Sequence, residues 1–199
     1  MSSRLVQGIG INDADYFVSR STKQNGVNKI HWMCPYYDRW RFMLKRCYSE
    51  KHISKHPTYQ DATVSDDWLR FSVFKEWMED QPWKNNELDK DILQPGSKVY
   101  SSENCVFIPK IVNTFILDCS KARGQYPIGV CFDKERGLYK AECCNPFTKK
   151  CEYLGRFKTP EEAHEAWRDR KHELAMQLAN SEFVQDDRVA YALSQRYAA

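Results

Sequence analysis

The sequence predicts an α+β chain: an N-terminal helical region holding a short strand–loop–strand–helix segment, then a three-stranded antiparallel sheet backed by one helix. Three observations lead there. Before residue 80, two stretches carry apolar residues at helical spacing. Between residues 128 and 157 the runs IGVCFDK, LYKAECC and KCEYLGRF alternate, separated by ERG and NPFTK, both good turn material. Directly after them, TPEE supplies Thr159 as N-cap, Pro160 at the first helical position and Glu162 to close a capping box.

Along the chain, residues 1–34 are turn-rich (GIGINDADY, KQNGVNK) and read as a hairpin or an extended arm. Pro35 opens a helix to about Ser49, with Tyr36, Trp40, Met43, Leu44 and Cys47 on one face and Arg39, Arg41, Lys45 and Arg46 around the rest. A polar loop with Pro57 follows. Ser65 is the expected N-cap of a second helix whose inner face is Trp68, Phe71, Phe74, Trp77 and Met78, an aromatic stripe read as core. ELDKDIL and NCVFIP read as short strands around the loop QPGSKVYSSE, and KIVNTFIL starts a helix. A boundary is expected where apolar periodicity lapses, so the predicted division is 1–118, a linker at 119–127, and 128–199. In the last part a helix bearing Ala163, Ala166, Trp167, Leu174 and Leu178 backs the sheet, and DDRVAYALSQRY forms a final short helix.

Bulk properties bound the function. At 199 residues, with 42% hydrophobic and 14% aromatic content, the chain has the makings of a globular protein. Apolar runs such as VFI and FIL fall far short of a membrane span, and MSSRLVQGIGIND lacks the apolar stretch of a signal peptide. A soluble intracellular protein with no membrane partner is the expectation, and its eight cysteines are expected to be reduced. No CxxC pair occurs. His31 and Cys34, with Cys47 and Cys105 as conceivable partners, are the nearest approach to a structural zinc site; buried or idle thiols are the favoured reading. Net charge is only +3, but residues 121–158 hold nine Lys or Arg against four Asp or Glu. Basic surface interleaved with Tyr and Phe suits a phosphate backbone.

The C-terminal stretch GVCFDKERGLYKAECCNPFTKKCEYLGRFKTPEEAHEAW resembles the APETALA-two/ethylene-response-factor (ERF-type) DNA-binding domain. The likeness lies in GV opening the first strand, the aromatic Tyr139 and AE in the second, YLGRF in the third, and TPEEAHEAW in the helix. The resemblance implies a sheet that reads the major groove, with Glu142 and Tyr153 at the DNA, and Tyr139 is a further DNA-binding candidate. Ile128, Cys131, Cys144 and Cys151 stand where the plant domains place arginines, so the target differs from the plant element. Apart from the family, Lys134, Arg136, Lys140, Lys149, Lys150 and Arg156 lie on strands or turns able to reach phosphates.

Metal-assisted cleavage of a phosphodiester needs a held cation, a base for water and open coordination positions. ELDKDILQPGSKVYSSENCVFIPKIVN resembles the ββα-metal finger of HNH nucleases: Asp89 ends one strand, Asn104 opens the next, and Asn113 follows nine residues later in the helix. The resemblance implies Asp89 and Asn113 as ligands for Mg²⁺ or Mn²⁺, with Asn104 orienting the site. Lys90 occupies the position of the catalytic histidine. An ammonium beside Asp89 and Asp91 is a poor base. Lys90 is therefore expected to contact the scissile phosphate or a water; the alternatives are a histidine brought from elsewhere (His31, His52 or His56) and lost catalysis. A structural reading, with DKD a charged strand end and both asparagines caps, stands beside these, and a PD-(D/E)xK arrangement fits the spacing less well.

Phage homing endonucleases join such a finger to such a sheet. The combined expectation is a site-specific, metal-dependent endonuclease acting on double-stranded DNA in the cytoplasm of an infected bacterial host. The rival is a catalytically inactive, nuclease-derived DNA-binding protein, a repressor or architectural factor; an RNA-binding accessory role has little support. One finger is one active site, so a monomer nicks and a double-strand break implies a homodimer.

Overall fold

A computed structural model of the chain describes residues 5–118 and 124–198. It divides into two compact units, Met1–Phe107 and Ile108–Ala199. The expected linker at 119–127 falls partly outside the described residues.

The first unit opens with a ribbon of two antiparallel strands, β1 (Ser19–Gln24) and β2 (Val27–Met33), joined at Asn25 and Gly26. Both turn residues have positive φ, 49° and 79°, which an Asn-Gly pair adopts readily and which matches the twist of a tight hairpin. Helix α1 (Pro35–Tyr48) buries Trp40, Met43, Leu44 and Cys47, the face read from the sequence, while Tyr36 packs at its margin. The stretch expected as a polar loop contains a short helix, α2 (Glu50–Lys55). Ser49 is extended and its carbonyl accepts the N–H groups of His52 and Ile53, so a local hydrogen-bonded turn re-forms past the break.

The second long helix, α3 (Phe71–Glu79), begins six residues after the expected Ser65 cap. The N-terminal arm competes for the backbone there: Ile11 bridges Arg70 in parallel, donating to the Leu69 carbonyl and accepting from the Phe71 N–H. Arg70 is held extended and the helix starts beyond it, leaving only a 3-10 turn at Asp67–Leu69. A remote residue then caps α3: Asp13 accepts from the Ser72 N–H at 2.9 Å and from the Ser72 hydroxyl at 2.7 Å. Trp68, Phe71, Phe74 and Met78 are buried as expected, and the Trp40 indole donates to the Trp68 carbonyl at 2.7 Å, which ties α1 to this segment.

Four further short strands follow. β3 (Thr63–Val64) pairs in parallel with β5 (Val99–Tyr100), and β4 (Asn86–Asp89) pairs with β6 (Val106–Pro109). Helix α4 (Lys110–Ile116) belongs to the second unit.

The rest of the second unit is the expected three-stranded antiparallel sheet, β7 (Val130–Asp133), β8 (Leu138–Cys144) and β9 (Cys151–Phe157), in that order. Helix α5 (Pro160–Ala179) starts with both hydrogen bonds of the Thr159/Glu162 capping box in place. It buries Ala163, Trp167, Leu174 and Leu178 among others; Ala166 is half-buried. Gly129 sits with φ +82° against Trp167, so close that a Cβ there would lie 2.0 Å from the indole. Lys171 of α5 is buried and donates to the Phe115 carbonyl at 2.8 Å, satisfying an orphan acceptor in the last turn of α4. Helix α6 (Asp187–Arg196) packs on α5 through Val189 and Leu193. Among the described residues no helix is long and apolar enough to cross a membrane.

Candidate nucleic-acid interface

Strand alternation sorts the sheet's side chains into two faces. Ala141 and Cys143 of β8 are buried, and Glu152 of β9 accepts a two-pronged hydrogen bond from Arg170 of α5, at 2.7 and 3.2 Å. These residues mark the helix side. The register sets Lys140 directly opposite Arg156, Glu142 opposite Tyr153 and Cys144 opposite Cys151, with Cys131 of β7 beside Lys140. Those residues form the open face. A bulge after Ala141, where β9 has an additional residue, keeps Tyr153 and Arg156 on the same side although they are three apart.

Two cations facing each other across strands repel, and the sheet offsets this with acids on the same face. The Lys140 ammonium lies 3.1 Å from Glu142. The Arg156 guanidinium donates to Asp133 at 2.8 Å and to the Tyr153 hydroxyl at 2.9 Å, and stands 5.3 Å above the Tyr153 ring. The hydrogen bond from Arg156 holds the Asp133 carboxyl below the usual carboxylate range. Asp133 was absent from the residues singled out by sequence; its place at the end of a strand beside a basic turn was the available signal.

Four of the other basic residues crown the turns. Lys134 and Arg136 are exposed between β7 and β8, and Lys149 and Lys150 are exposed between β8 and β9. The second turn is organised by Asn145, whose side-chain oxygen accepts from the N–H groups of Phe147 and Thr148 and whose amide donates to Glu152 at 2.7 Å. Tyr139 departs from the expected set. The register puts it on the helix side of β8, where its ring packs 5.1 Å from Phe132 and 5.3 Å from Tyr126. The cysteines also differ from the expectation of reduced thiols, because Cys144 and Cys151 are joined by a disulfide at the edge of the open face. Directly opposed residues of adjacent strands bring two Cβ atoms within bridging reach. Cys34, Cys47, Cys105, Cys131 and Cys143 are free; burial pushes the Cys47 and Cys105 thiols up to about 12.

The strand–loop–strand segment of the first unit treats its charges differently. Asp89 ends β4, and its Oδ1 accepts the N–H groups of Asp91 and Ile92 at 2.9 and 2.7 Å, which turns the chain out of the strand. Burial raises its pKa above the usual carboxylate value despite those two hydrogen bonds. Lys90 is 5% exposed. Its ammonium donates to the Asp91 carboxylate and, at 2.6 Å, to the Ser97 carbonyl, and lies 5.8 Å from the Tyr100 ring centre. The Asn104 amide donates to the Ser97 hydroxyl and to the Val99 carbonyl, both at 3.3 Å. Lys90 and Asn104 thus meet at Ser97 and pin the same loop. Asn113 lies half-buried in α4, in the second unit.

The remaining candidates sit elsewhere in the first unit. His31 Nε2 is hydrogen-bonded to Thr22 Oγ1 at 2.6 Å on the exposed ribbon, while Cys34 is buried with its sulfur 3.9 Å from the Tyr16 hydroxyl. His52 and His56 stack on each other with ring centres 4.6 Å apart. Among the described residues no group of three or more His, Cys, Asp or Glu side chains is arranged to hold a metal ion.

No family model matches the chain, and no solved structure matches it. A 49-residue stretch, 25% of this chain, is 45% identical to the ethylene-responsive transcription factor ERF116 of Arabidopsis thaliana. That stretch covers 17% of the plant protein.

Proposed function

We propose that the chain binds double-stranded DNA through the open face of the β7–β8–β9 sheet. Lys140, Glu142, Tyr153 and Arg156 meet the duplex there, and Lys134, Arg136, Lys149 and Lys150 reach phosphates from the two turns. The observation that carries this is the direct opposition of Lys140 and Arg156 on a solvent-facing surface. Paired like charges cost the free protein stability, and a phosphate backbone turns that cost into attraction. The likeness to a plant transcription factor supports the same reading. Reversing the repulsion requires an anion, which is why duplex affinity and its salt dependence are the quantities to measure. The Lys140→Gln/Arg156→Gln double variant is expected to bind duplex at least tenfold more weakly, with the slope of log K against log salt reduced by about 1.8. Unchanged affinity would remove the sheet from the interface.

A second reading, a metal-dependent endonuclease of the phage homing type, is favoured by the pairing of β4 with β6 and by helix α4 following β6 directly in the chain. In it, Asp89 would be a ligand for Mg²⁺ or Mn²⁺, a cation that would supply phosphate polarisation and water activation. Asp89 suits such a cation in chemistry: its carboxyl is raised by burial, and a nearby divalent charge would favour the ionised form. The Lys90 ammonium is committed to Asp91 and Ser97, so it would steady the loop that carries Asp89. Incubating the protein with pooled phage and host DNA, with Mg²⁺ and with chelator, separates the readings. Discrete Mg²⁺-dependent ends that vanish in Asp89→Ala establish the nuclease; retained fragments without ends leave a DNA-binding protein.

A further inference from the structure

We propose that the β1–β2 ribbon is a second DNA-contacting arm, which enters a groove of the duplex; the inference rests on the DNA-binding reading of the sheet. An isolated two-stranded ribbon gains little stability from itself. This one is exposed along both strands: Arg20–Gln24 and Val27–Trp32 all face solvent. Its root is fixed, since the Cys34 N–H donates to the Val18 carbonyl at 2.8 Å and Val18 packs on the buried core. A tight Asn-Gly turn shapes its tip. The ribbon is thus anchored at one end and presented to solvent over its length.

Charge identifies the occupant. Between Asp15 and Asp38 the sequence has no acid, while Arg20, Lys23 and Lys29 all lie on the ribbon. Those cations occupy both faces. The register places Arg20, Thr22, Lys29 and Trp32 on one side, and Ser21, Lys23, Asn28 and Ile30 on the other. A surface meant to lie flat on a partner needs charge on one side only. A ribbon between two phosphate walls needs it on both, and the major groove of B-DNA, about 12 Å wide, admits a two-stranded ribbon. Apolar side chains ride along with the charges: Val27 at the tip is 69% exposed and Trp32 45% exposed. At the root, Tyr16, Phe17, Arg20 and Trp32 line an open cleft of about 390 Å³, with the Arg20 guanidinium 6.0 Å from the Trp32 ring centre. Strand addition by a protein partner or by a second copy is disfavoured by the same pattern, because lysines along an edge strand block pairing.

Two weak DNA contacts on one chain reinforce each other through effective concentration, so losing the arm weakens binding even with the sheet intact. The test compares full-length variants on a fluorescently labelled random-sequence duplex across a salt series. Arg20→Gln/Lys23→Gln/Lys29→Gln is expected to bind at least tenfold more weakly, with the salt slope lower by about 2.7 and the melting temperature unchanged. A control, Lys51→Gln/Lys55→Gln/Lys84→Gln, removes the same charge from exposed positions off the ribbon and is expected to lose threefold or less. Equal losses in the two triples would reduce the effect to net charge and overturn the arm. Wild-type affinity in the ribbon triple would also overturn it while leaving the sheet reading intact. A wild-type chain that binds no duplex would overturn both. Conversion of a dimer to a monomer by the ribbon triple, without loss of duplex affinity, would reassign the ribbon to self-association and overturn the arm as well.

Discussion

Lys90 and Lys140 each stand within one or two residues of a carboxylate in a strand-rich segment, yet the fold uses them in opposite directions. Lys90 is 5% exposed, its ammonium bound to Asp91 and to the Ser97 carbonyl. Lys140 lies on an open face, opposite a second cation, with Glu142 beside it. The aspartates repeat the contrast. Both are half-buried, but desolvation raises Asp89, whereas the hydrogen bond from Arg156 on the sheet's open face lowers Asp133. Spacing of charged residues along a chain does not reveal whether they are structure or surface. The direction in which each side chain leaves the backbone does.

The contrast breaks hardest where the sheet's inner side is tightest. Gly129→Ala puts a Cβ within the Trp167 ring at a positive φ that alanine resists, and is expected to destabilise by about 3 kcal/mol, read by urea unfolding. Full stability in that variant would mean the helix side of the sheet is loosely packed. Lys90→Ala is next. It strips the Asp91 carboxylate and the Ser97 carbonyl of their donor and is expected to cost about 2 kcal/mol in the same assay, with duplex affinity unchanged. Loss of affinity or cleavage with no loss of stability would turn Lys90 outward, toward the ligand.

The smallest effect sharpens the comparison through its sign. Asp89 has a folded pKa above its ordinary value of 3.8, so its contribution to stability is full below that value and is lost as pH rises through the folded pKa. Asp89→Asn is therefore expected to gain stability relative to wild type as pH rises from about 4. Asp133 has a folded pKa below 3.8, so its contribution is present above that value and lost as pH falls through the folded pKa. Asp133→Asn is expected to fall behind wild type as pH rises. Two aspartate variants with slopes of the same sign would erase the inward–outward distinction.

Features that depend on a few adjacent residues were legible in the sequence. The Asn25–Gly26 turn, the inner face of α1 and the Thr159/Glu162 capping box each rest on local stereochemistry or on a 3.6-residue period, and each stands where the residues put it. Features that depend on remote partners were not. The start of α3 moved because Ile11 competes for the backbone around Arg70 and Asp13 supplies the cap from 59 residues away. The strand register, with its bulge at Ala141, sent Tyr139 to the helix side while leaving Lys140, Glu142, Tyr153 and Arg156 together on the open face. Asp133 and the ribbon cations carried no motif, and only an acid-free run of sequence hinted at the latter.

By itself, then, the sequence determined the C-terminal strand–strand–strand–helix order, the amphipathic faces that became cores, and a local excess of basic residues between 121 and 158. Side-chain period, cap chemistry and composition are properties of short windows of chain. Which charges are spent internally and which are offered to a ligand was decided only by tertiary structure. A lysine's fate depends on what desolvates it and what bonds to it, and for Lys90 those groups are the Ser97 carbonyl, the Asp91 carboxylate and the face of Tyr100, brought around it by the folding of the loop.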